Sequence, residues 1–319
     1  MISYLRLPIA AAAVAAVLSA VPASAQKPLT LAVTGQGTTV YSMGAPLAKL
    51  LEDNGIPTRL QPMGGTTAYA PLLGTGEIDF GIINISVLQA VYAGDKPFPR
   101  ANKGARLATV LYPFMVGLLV REDSGVTSIT DVKGKSLPGG FNQMPYINPI
   151  IRALLANGGL TTDDVQQVPV ATINAALDDF DAGRIDVGYF GVGGGRVLQS
   201  DAAVGGVRFV PLVDNEKAVA AMDKHVAGAF VRTLKGGSFP GIPDDTPVMA
   251  YDMVLAVGAD VPNETVEKVL KVIADNKATL AEGFGGYRGF ERDQMAKPDY
   301  AIPYHDGAID FYKSEGLWK

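Results

Sequence analysis

The chain comprises 319 residues with 27 basic and 32 acidic side chains, a formal net charge of −5 and no cysteine. Disulfides, thiolate nucleophiles and cysteine-based metal sites are therefore excluded, and an acidic balance without a basic cluster speaks against nucleic acid and anionic membrane surfaces as partners. The two histidines, His225 and His305, stand too far apart in sequence to form a local metal motif, so no metal or cofactor is expected and acid–base chemistry near neutral pH has few candidates.

Arg6 precedes an apolar, alanine-rich run over residues 9–21, and Ala23-Ser24-Ala25 follows it. This positive, apolar, small-residue order is that of a secretory signal peptide over residues 1–25, with cleavage expected after Ala25 and a periplasmic destination. Residues 7–21 are short against the roughly 20 apolar residues that a bilayer demands. No later run reaches spanning length, so the processed chain is expected not to span a membrane. Its remaining length exceeds one typical domain of roughly 150 residues, which predicts two lobes.

Residues 29–33 form a β-rich run that ends in the turn Thr34-Gly35-Gln36-Gly37 and gives way to helical spacing through Leu47, Leu50 and Leu51. Residues 58–62 predict a second strand closed by Gly64-Gly65, with Thr66 or Thr67 placed to cap a helix running to Leu73. Residues 80–85 predict a third, largely apolar strand, and the alternation argues for a parallel sheet with helices on its faces. An apolar stretch over 108–120 then breaks into Glu122-Asp123-Ser124-Gly125, so a second lobe is expected to begin near Arg121. It opens with a polar turn and a short strand before Pro138-Gly139-Gly140, continues with a helix over 147–156 closed by Asn157-Gly158-Gly159, and offers a strand over 165–170.

Thr75-Gly76-Glu77-Ile78-Asp79-Phe80-Gly81 is echoed by Ala182-Gly183-Arg184-Ile185-Asp186-Val187-Gly188. In both, Ile is expected to enter the core and Asp to bond local backbone as the chain turns into a strand; the matched context favours two similarly wound lobes. A strand over 205–212, a helix over 216–234, a Gly- and Pro-rich connection over 236–247, a strand over 248–257 and a helix over 263–277 complete the order. The strand at 248 is read as a return to the first lobe. Residues 26–120 and 248–319 then form a discontinuous lobe I around a continuous lobe II of 121–247.

Several chemical readings fail on their own residues. The strand–glycine–helix passage at Gly35-Gln36-Gly37 lacks the third glycine of a dinucleotide site at Val40, and the next strand ends in Gln61-Pro62-Met63 without an acid for ribose. Gly191-Val192-Gly193-Gly194-Gly195-Arg196 lacks the Gly-Lys-Ser/Thr ending of a phosphate loop, so its glycines are read as permitting close backbone approach. Neither histidine sits near a serine elbow; His225 is read as an exposed or capping residue of a helix. The acid pairs Asp163-Asp164, Asp178-Asp179 and Asp244-Asp245 read as a helix start, a helical face and a loop, solvated rather than catalytic.

Polar residues instead cluster at predicted strand exits, where open α/β sheets bind ligands. Gln36, Thr38, Thr39 and Tyr41, then Thr66, Thr67 and Tyr69, then Asn84 and Ser86 follow the first three strands, while Phe141-Asn142-Gln143-Met144-Pro145-Tyr146 and Tyr189-Phe190 occupy equivalent places in the second lobe. Hydroxyls, amides and rings make a binding lining rather than a catalytic set. Unpaired N–H groups at the helix starts after Gly35-Gln36-Gly37 and Gly64-Gly65 would hold an anion without a fixed cation.

The turn Gly35-Gln36-Gly37-Thr38-Thr39-Val40-Tyr41 with Met43-Gly44 and Ala48-Lys49-Leu50-Leu51 behind it, Met63-Gly64-Gly65-Thr66-Thr67, residues 73–82, residues 182–187 and the tail Ile302-Pro303-Tyr304-His305-Asp306-Gly307-Ala308 with Phe311-Tyr312 and Glu315-Gly316-Leu317 together resemble one family. It is the TAXI solute-binding proteins of tripartite ATP-independent periplasmic (TRAP) transporters. The resemblance implies an α/β, two-lobed periplasmic-binding-protein-like (type II) fold with a hinge and a cleft between lobes. It implies a receptor, not an enzyme, that captures a small carboxylate-bearing organic solute and delivers it to TRAP membrane subunits. Gly35, Gln36, Gly37, Thr38, Thr39, Tyr41, Gly64, Gly65, Thr66, Thr67, Asn84 and Ser86 would form one cleft wall, and Asn142, Gln143 and Tyr146, with Tyr189 from its strand exit, the other. His305 is read as tying the last helix down. The chain departs from the family's usual residues at 66–69 and 84–86, which bears on the solute. An exported enzyme or sensor input on the same fold is the alternative.

Overall fold

The computed structural model describes Met1, residues 27–297 and residues 300–318; the expected signal peptide and its cleavage site lie outside the described residues. In chain order the elements are β1 (Leu29–Thr34), α1 (Thr39–Asp53), β2 (Thr58–Met63), α2 (Thr66–Tyr69), β3 (Phe80–Asn84), α3 (Ile85–Ala93) and β4 (Ala105–Arg121). There follow β5 (Ser136–Gly139), α4 (Ile147–Asn157), β6 (Gln166–Pro169), α5 (Ile173–Asp181), β7 (Val187–Gly191), α6 (Gly195–Val204), β8 (Val207–Phe209) and α7 (Glu216–Asp223). The chain closes with β9 (Phe230–Leu234), β10 (Thr246–Gly258), α8 (Asn263–Asp275), α9 (Lys277–Gly283) and α10 (Asp306–Ser314). Among the described residues no helix is long and apolar enough to cross a membrane.

One sheet runs β2-β1-β3-β10-β4-β7, with β8 added to β4 and β9 to β10, while β5 and β6 pair separately. The expected parallel pairing holds for β1, β2 and β3 and for β5 with β6. It fails along the middle, where β10 runs antiparallel to both β3 and β4 and β7 runs antiparallel to β4. There β4 and β10, 17 and 13 residues long and buried almost throughout, pair with each other from Ala105↔Gly258 to Val116↔Met249. β10 exchanges one outer neighbour for another along its course, while β4 gains β7 on one edge and β8 on the edge it shares with β10. β10 lies beside β3 over Met253–Val257 and beside β9 over Thr246–Ala250; β4 takes up β7 over Val116–Val120 and β8 over Leu119–Arg121. The change falls where Asp252 faces Pro113, a residue with no N–H to give the ladder.

The repeated turn recurs in three dimensions. Gly76 and Gly183 have φ 80° and 71°, and Ile78 and Ile185 are buried. The two carboxylates, however, bond strands distant in sequence rather than local backbone. Asp79 Oδ2 accepts from Thr30 N at 2.7 Å, 49 residues away, and Asp186 Oδ2 accepts from Ser136 N at 2.9 Å, 50 residues away. Each acid thus ties the turn to the first strand of its own half, because the strand that follows the turn is laid beside that first strand.

Three expected elements are corrected. The helix over 216–234 ends at Asp223, and Phe230–Leu234 is instead the edge strand β9; Val231 and Thr233 are β-branched and pair along the open side of β10. His225 therefore lies in a turn and not in a helix. The helix over 263–277 breaks at Asn276, whose φ of −125° is not helical, into α8 and α9. Neither Thr66 nor Thr67 caps α2: Gly65 holds the N-cap position without a side-chain bond, and Thr66 is the first helical residue.

Candidate functional site

A cavity opens at the carboxyl ends of β1, β3 and β7, against the starts of α1, α4 and α5, with β4 and β10 beneath it. From one half come Thr34, Thr38, Thr39, Val40, Thr66 and Asn84; from the other Tyr146, Ile147, Ile173, Tyr189 and Gly191. Phe114 of β4 and Tyr251 and Met253 of β10 complete the lining. The space open to the centre of a water molecule is about 40 Å³, where roughly 10–15 Å³ admits one water. It therefore takes a few water-sized groups in this conformation.

The backbone decides which polar groups are free. Thr38 caps α1 by accepting from Tyr41 N at 3.2 Å, lies 2.6 Å from the Thr34 hydroxyl and donates to Gly35 O, so both hydroxyls are occupied. Thr39 Oγ1 reaches across to Gly191 O at 3.5 Å. Asn84 caps α3: its Oδ1 accepts from Ser86 N and Ser86 Oγ, both at 2.8 Å. That orientation leaves Nδ2 as the free end. Thr66 and Asn84 are 2% and 3% exposed, and neither Thr66 Oγ1 nor Asn84 Nδ2 makes a hydrogen bond of ordinary geometry within the protein. Buried polar atoms of this kind are exceptions in folded proteins and call for a partner.

The described lining carries no charged side chain. Burial raises the pKa of Tyr146, Tyr189 and Tyr251, and neighbouring tyrosines raise it further at Tyr189 and Tyr251. The three phenols are therefore protonated at neutral pH and act as neutral donors and acceptors. Tyr146 interacts with Thr66, and Tyr251 with Tyr189 and Asn84, which makes one connected polar cluster. Phe114 packs on Tyr251 with ring centroids 5.7 Å apart.

Of the residues expected at the cleft, Thr38, Thr39, Thr66, Asn84, Tyr146 and Tyr189 line the cavity. Gln36, Gly37, Gly64, Asn142 and Gln143 are exposed outside it, Gly35 sits in the turn, and Thr67 is half-buried. Gly65 faces the opposite half, where a Cβ would stand 3.4 Å from Gln143 O. Tyr41 packs against the core, Ser86 bonds Asn84, and Tyr69 is fully buried with its hydroxyl donating to Ile82 O. Sequence reasoning missed Phe114, Tyr251 and Met253, which sit inside long apolar strands. It also missed Ile147 and Ile173, although each opens a helix after a strand exit and its position was a usable signal.

A family model described as the NMT1-like family matches residues 31–316. Among solved structures, an R. palustris protein with adipate superposes at a TM-score of 0.58 and 14% identity, covering 92% of this chain and 97% of that one. A structure described as a periplasmic transporter gives 0.56 and 13%, with 92% and 95% covered. PhnD1 from Prochlorococcus marinus, in complex with methylphosphonate, gives 0.54 and 9%, with 92% and 99% covered. These likenesses show the expected α/β fold, that of periplasmic binding proteins.

Proposed function

The chain belongs to the NMT1-like family, and from that premise we propose that it is a periplasmic solute-binding receptor that captures a small carboxylate-bearing organic solute and delivers it to the membrane subunits of a TRAP-type transporter. One observation carries the reading: two buried side-chain groups, Thr66 Oγ1 and Asn84 Nδ2, stand beside Tyr146 and Tyr251 without completing a hydrogen bond of ordinary geometry, and both line the same uncharged cavity. A carboxylate brings acceptors to both. The start of α1 adds first-turn N–H groups that no helix can satisfy internally, and its dipole favours an anion. Small anions also occupy two structures of the same fold, adipate in one and methylphosphonate in the other.

The receptor binds without turnover. Its lining offers hydroxyls, an amide and rings, and its phenols are held protonated by burial, so they serve as donors rather than bases. Residues 26–120 and 248–319 act as lobe I and residues 121–247 as lobe II, with the solute between them. The TRAP assignment rests on the ordered motifs from Gly35 to the Ile302-Pro303-Tyr304-His305 tail.

The test is the exported protein itself. Purified from the periplasm and denatured, it should release a small organic acid in near-equimolar amount, and the same acid should be recovered unchanged after long incubation with fresh protein. Chemical conversion of that acid would replace the receptor with an enzyme.

A further inference from the structure

We infer that the cavity selects a solute with a single acid group on a short apolar body, and discriminates against dicarboxylates and against solutes that carry an ammonium. This rests on the carboxylate-receptor reading and narrows it. The incompletely bonded Thr66 Oγ1 and Asn84 Nδ2 belong to one polar cluster, Thr66 beside Tyr146 and Asn84 beside Tyr251. The other hydroxyls near the start of α1 are spent, since Thr34 and Thr38 bond each other and Thr38 also caps the helix. There is one place for an acid group to be satisfied.

Tyr189 joins the cluster through Tyr251 and Thr39 turns its hydroxyl to Gly191 O at 3.5 Å, and the rest of the lining is the apolar Val40, Phe114, Ile147, Ile173 and Met253. A second carboxylate set among these groups would lose its hydration without gaining a cation or a cluster of donors. An ammonium fares no better, because no aspartate or glutamate lines the described cavity. Apolar carbon, by contrast, gains by leaving water there. The small volume adds a limit on size, since only a few water-sized groups, the acid among them, fit in this conformation.

Asn84→Asp isolates the acid-binding end. Aspartate keeps the Oδ1 that caps α3, and it is as good an N-cap as asparagine, while it exchanges the donor Nδ2 for an oxygen and sets a carboxylate in the uncharged lining, which repels a bound acid and costs stability. Titration calorimetry of the ligand-stripped protein with propionate and butyrate, and with succinate, 2-oxoglutarate and L-glutamate, reads the selectivity directly. The expected result is binding of at least one monocarboxylate at least tenfold tighter than any of the three others, lost at least tenfold in Asn84→Asp, with circular dichroism showing that the variant is folded at the temperature of the titration. Succinate, 2-oxoglutarate or glutamate binding as tightly as the monocarboxylates would overturn the single-acid inference and leave the receptor reading standing. Monocarboxylate binding unaffected by Asn84→Asp would overturn the placement of the acid at Asn84. No binding by any of the five, with a solute lacking an acid group released from the exported protein, would overturn the inference together with the carboxylate reading.

Discussion

Thr66 illustrates how little separates a structural hydroxyl from a binding one. Thr38 and Asn84 both hold N-cap positions and spend an oxygen on their helices, whereas Thr66 stands one residue further on, behind a glycine that offers no side chain. Its hydroxyl is buried beside Tyr146 without a bond of ordinary geometry, and a buried hydroxyl left unsatisfied costs about 1–3 kcal/mol in mutational series. Thr66→Val keeps the shape and removes that group. Affinity for the native solute should fall by about 1–3 kcal/mol, while the melting temperature of the ligand-free protein holds or rises, because the folded state sheds an unsatisfied polar atom. Calorimetry and thermal denaturation together decide this. A fall in stability with unchanged affinity would make Thr66 a purely structural residue.

At the scale of elements, α10 is fastened by its cap. His305 Nδ1 accepts from Gly307 N at 3.1 Å, its own N–H bonds Leu107 O at 2.9 Å, and Tyr312 on the same helix donates to Ala108 O at 2.7 Å. The expectation that His305 ties down the last helix thus has a geometry. Burial lowers the His305 pKa from its ordinary 6.5, against a smaller opposing pull from the carbonyls of Val261 and Ala259 and from Asp306. The sign follows from proton counting: below 6.5 the unfolded chain binds more protons at this site than the folded one. The stability it contributes is complete above 6.5 and is lost as pH falls through the window down to the depressed folded value. Urea midpoints should therefore drop between pH 7 and pH 5. In His305→Asn, which keeps a capping acceptor, the drop should be smaller; an equal drop would place the titrating group elsewhere.

For the whole molecule, the proposed closure on solute would depend on how closely the two halves of the sheet can meet. At Gly191 a Cβ would stand 2.6 Å from Thr39 Oγ1 and 2.7 Å from Phe114 Cζ, so the end of β7 reaches α1 only because it carries no side chain. The glycine run that fails as a phosphate loop is in this way a contact surface. We propose that bending occurs where β10 exchanges neighbours, around Pro113 and Asp252, where the buried Asp252 is held by Lys297 and Tyr300. A solute bridging both halves then favours the compact state. Gly191→Ala should fold yet fail to compact in solution scattering on addition of the native solute, with affinity down at least about tenfold, a loss of roughly 1.4 kcal/mol. Thr39→Ala in the same chain should restore part of the closure. Compaction of Gly191→Ala equal to that of the parent would remove the contact from the closing mechanism.

Local chemistry was legible directly in the amino-acid order. Strand runs, glycine turns and helix starts depend on neighbours a few positions apart, and so β1, α1, β2, β3, α4 and α8 could be placed, as could Thr38, Thr39, Thr66, Asn84, Tyr146 and Tyr189 at strand exits. Even the repeated Gly-x-Ile-Asp turn was visible, though not the strand each aspartate would reach. What only the tertiary structure decided was which of these polar groups are spent and which are free. It also decided that Phe114, Tyr251 and Met253 face a cavity and not a core. A strand buried on both sides is apolar whatever lies against it, and a hydroxyl's partner is set by backbone brought from dozens of residues away, which no local pattern encodes.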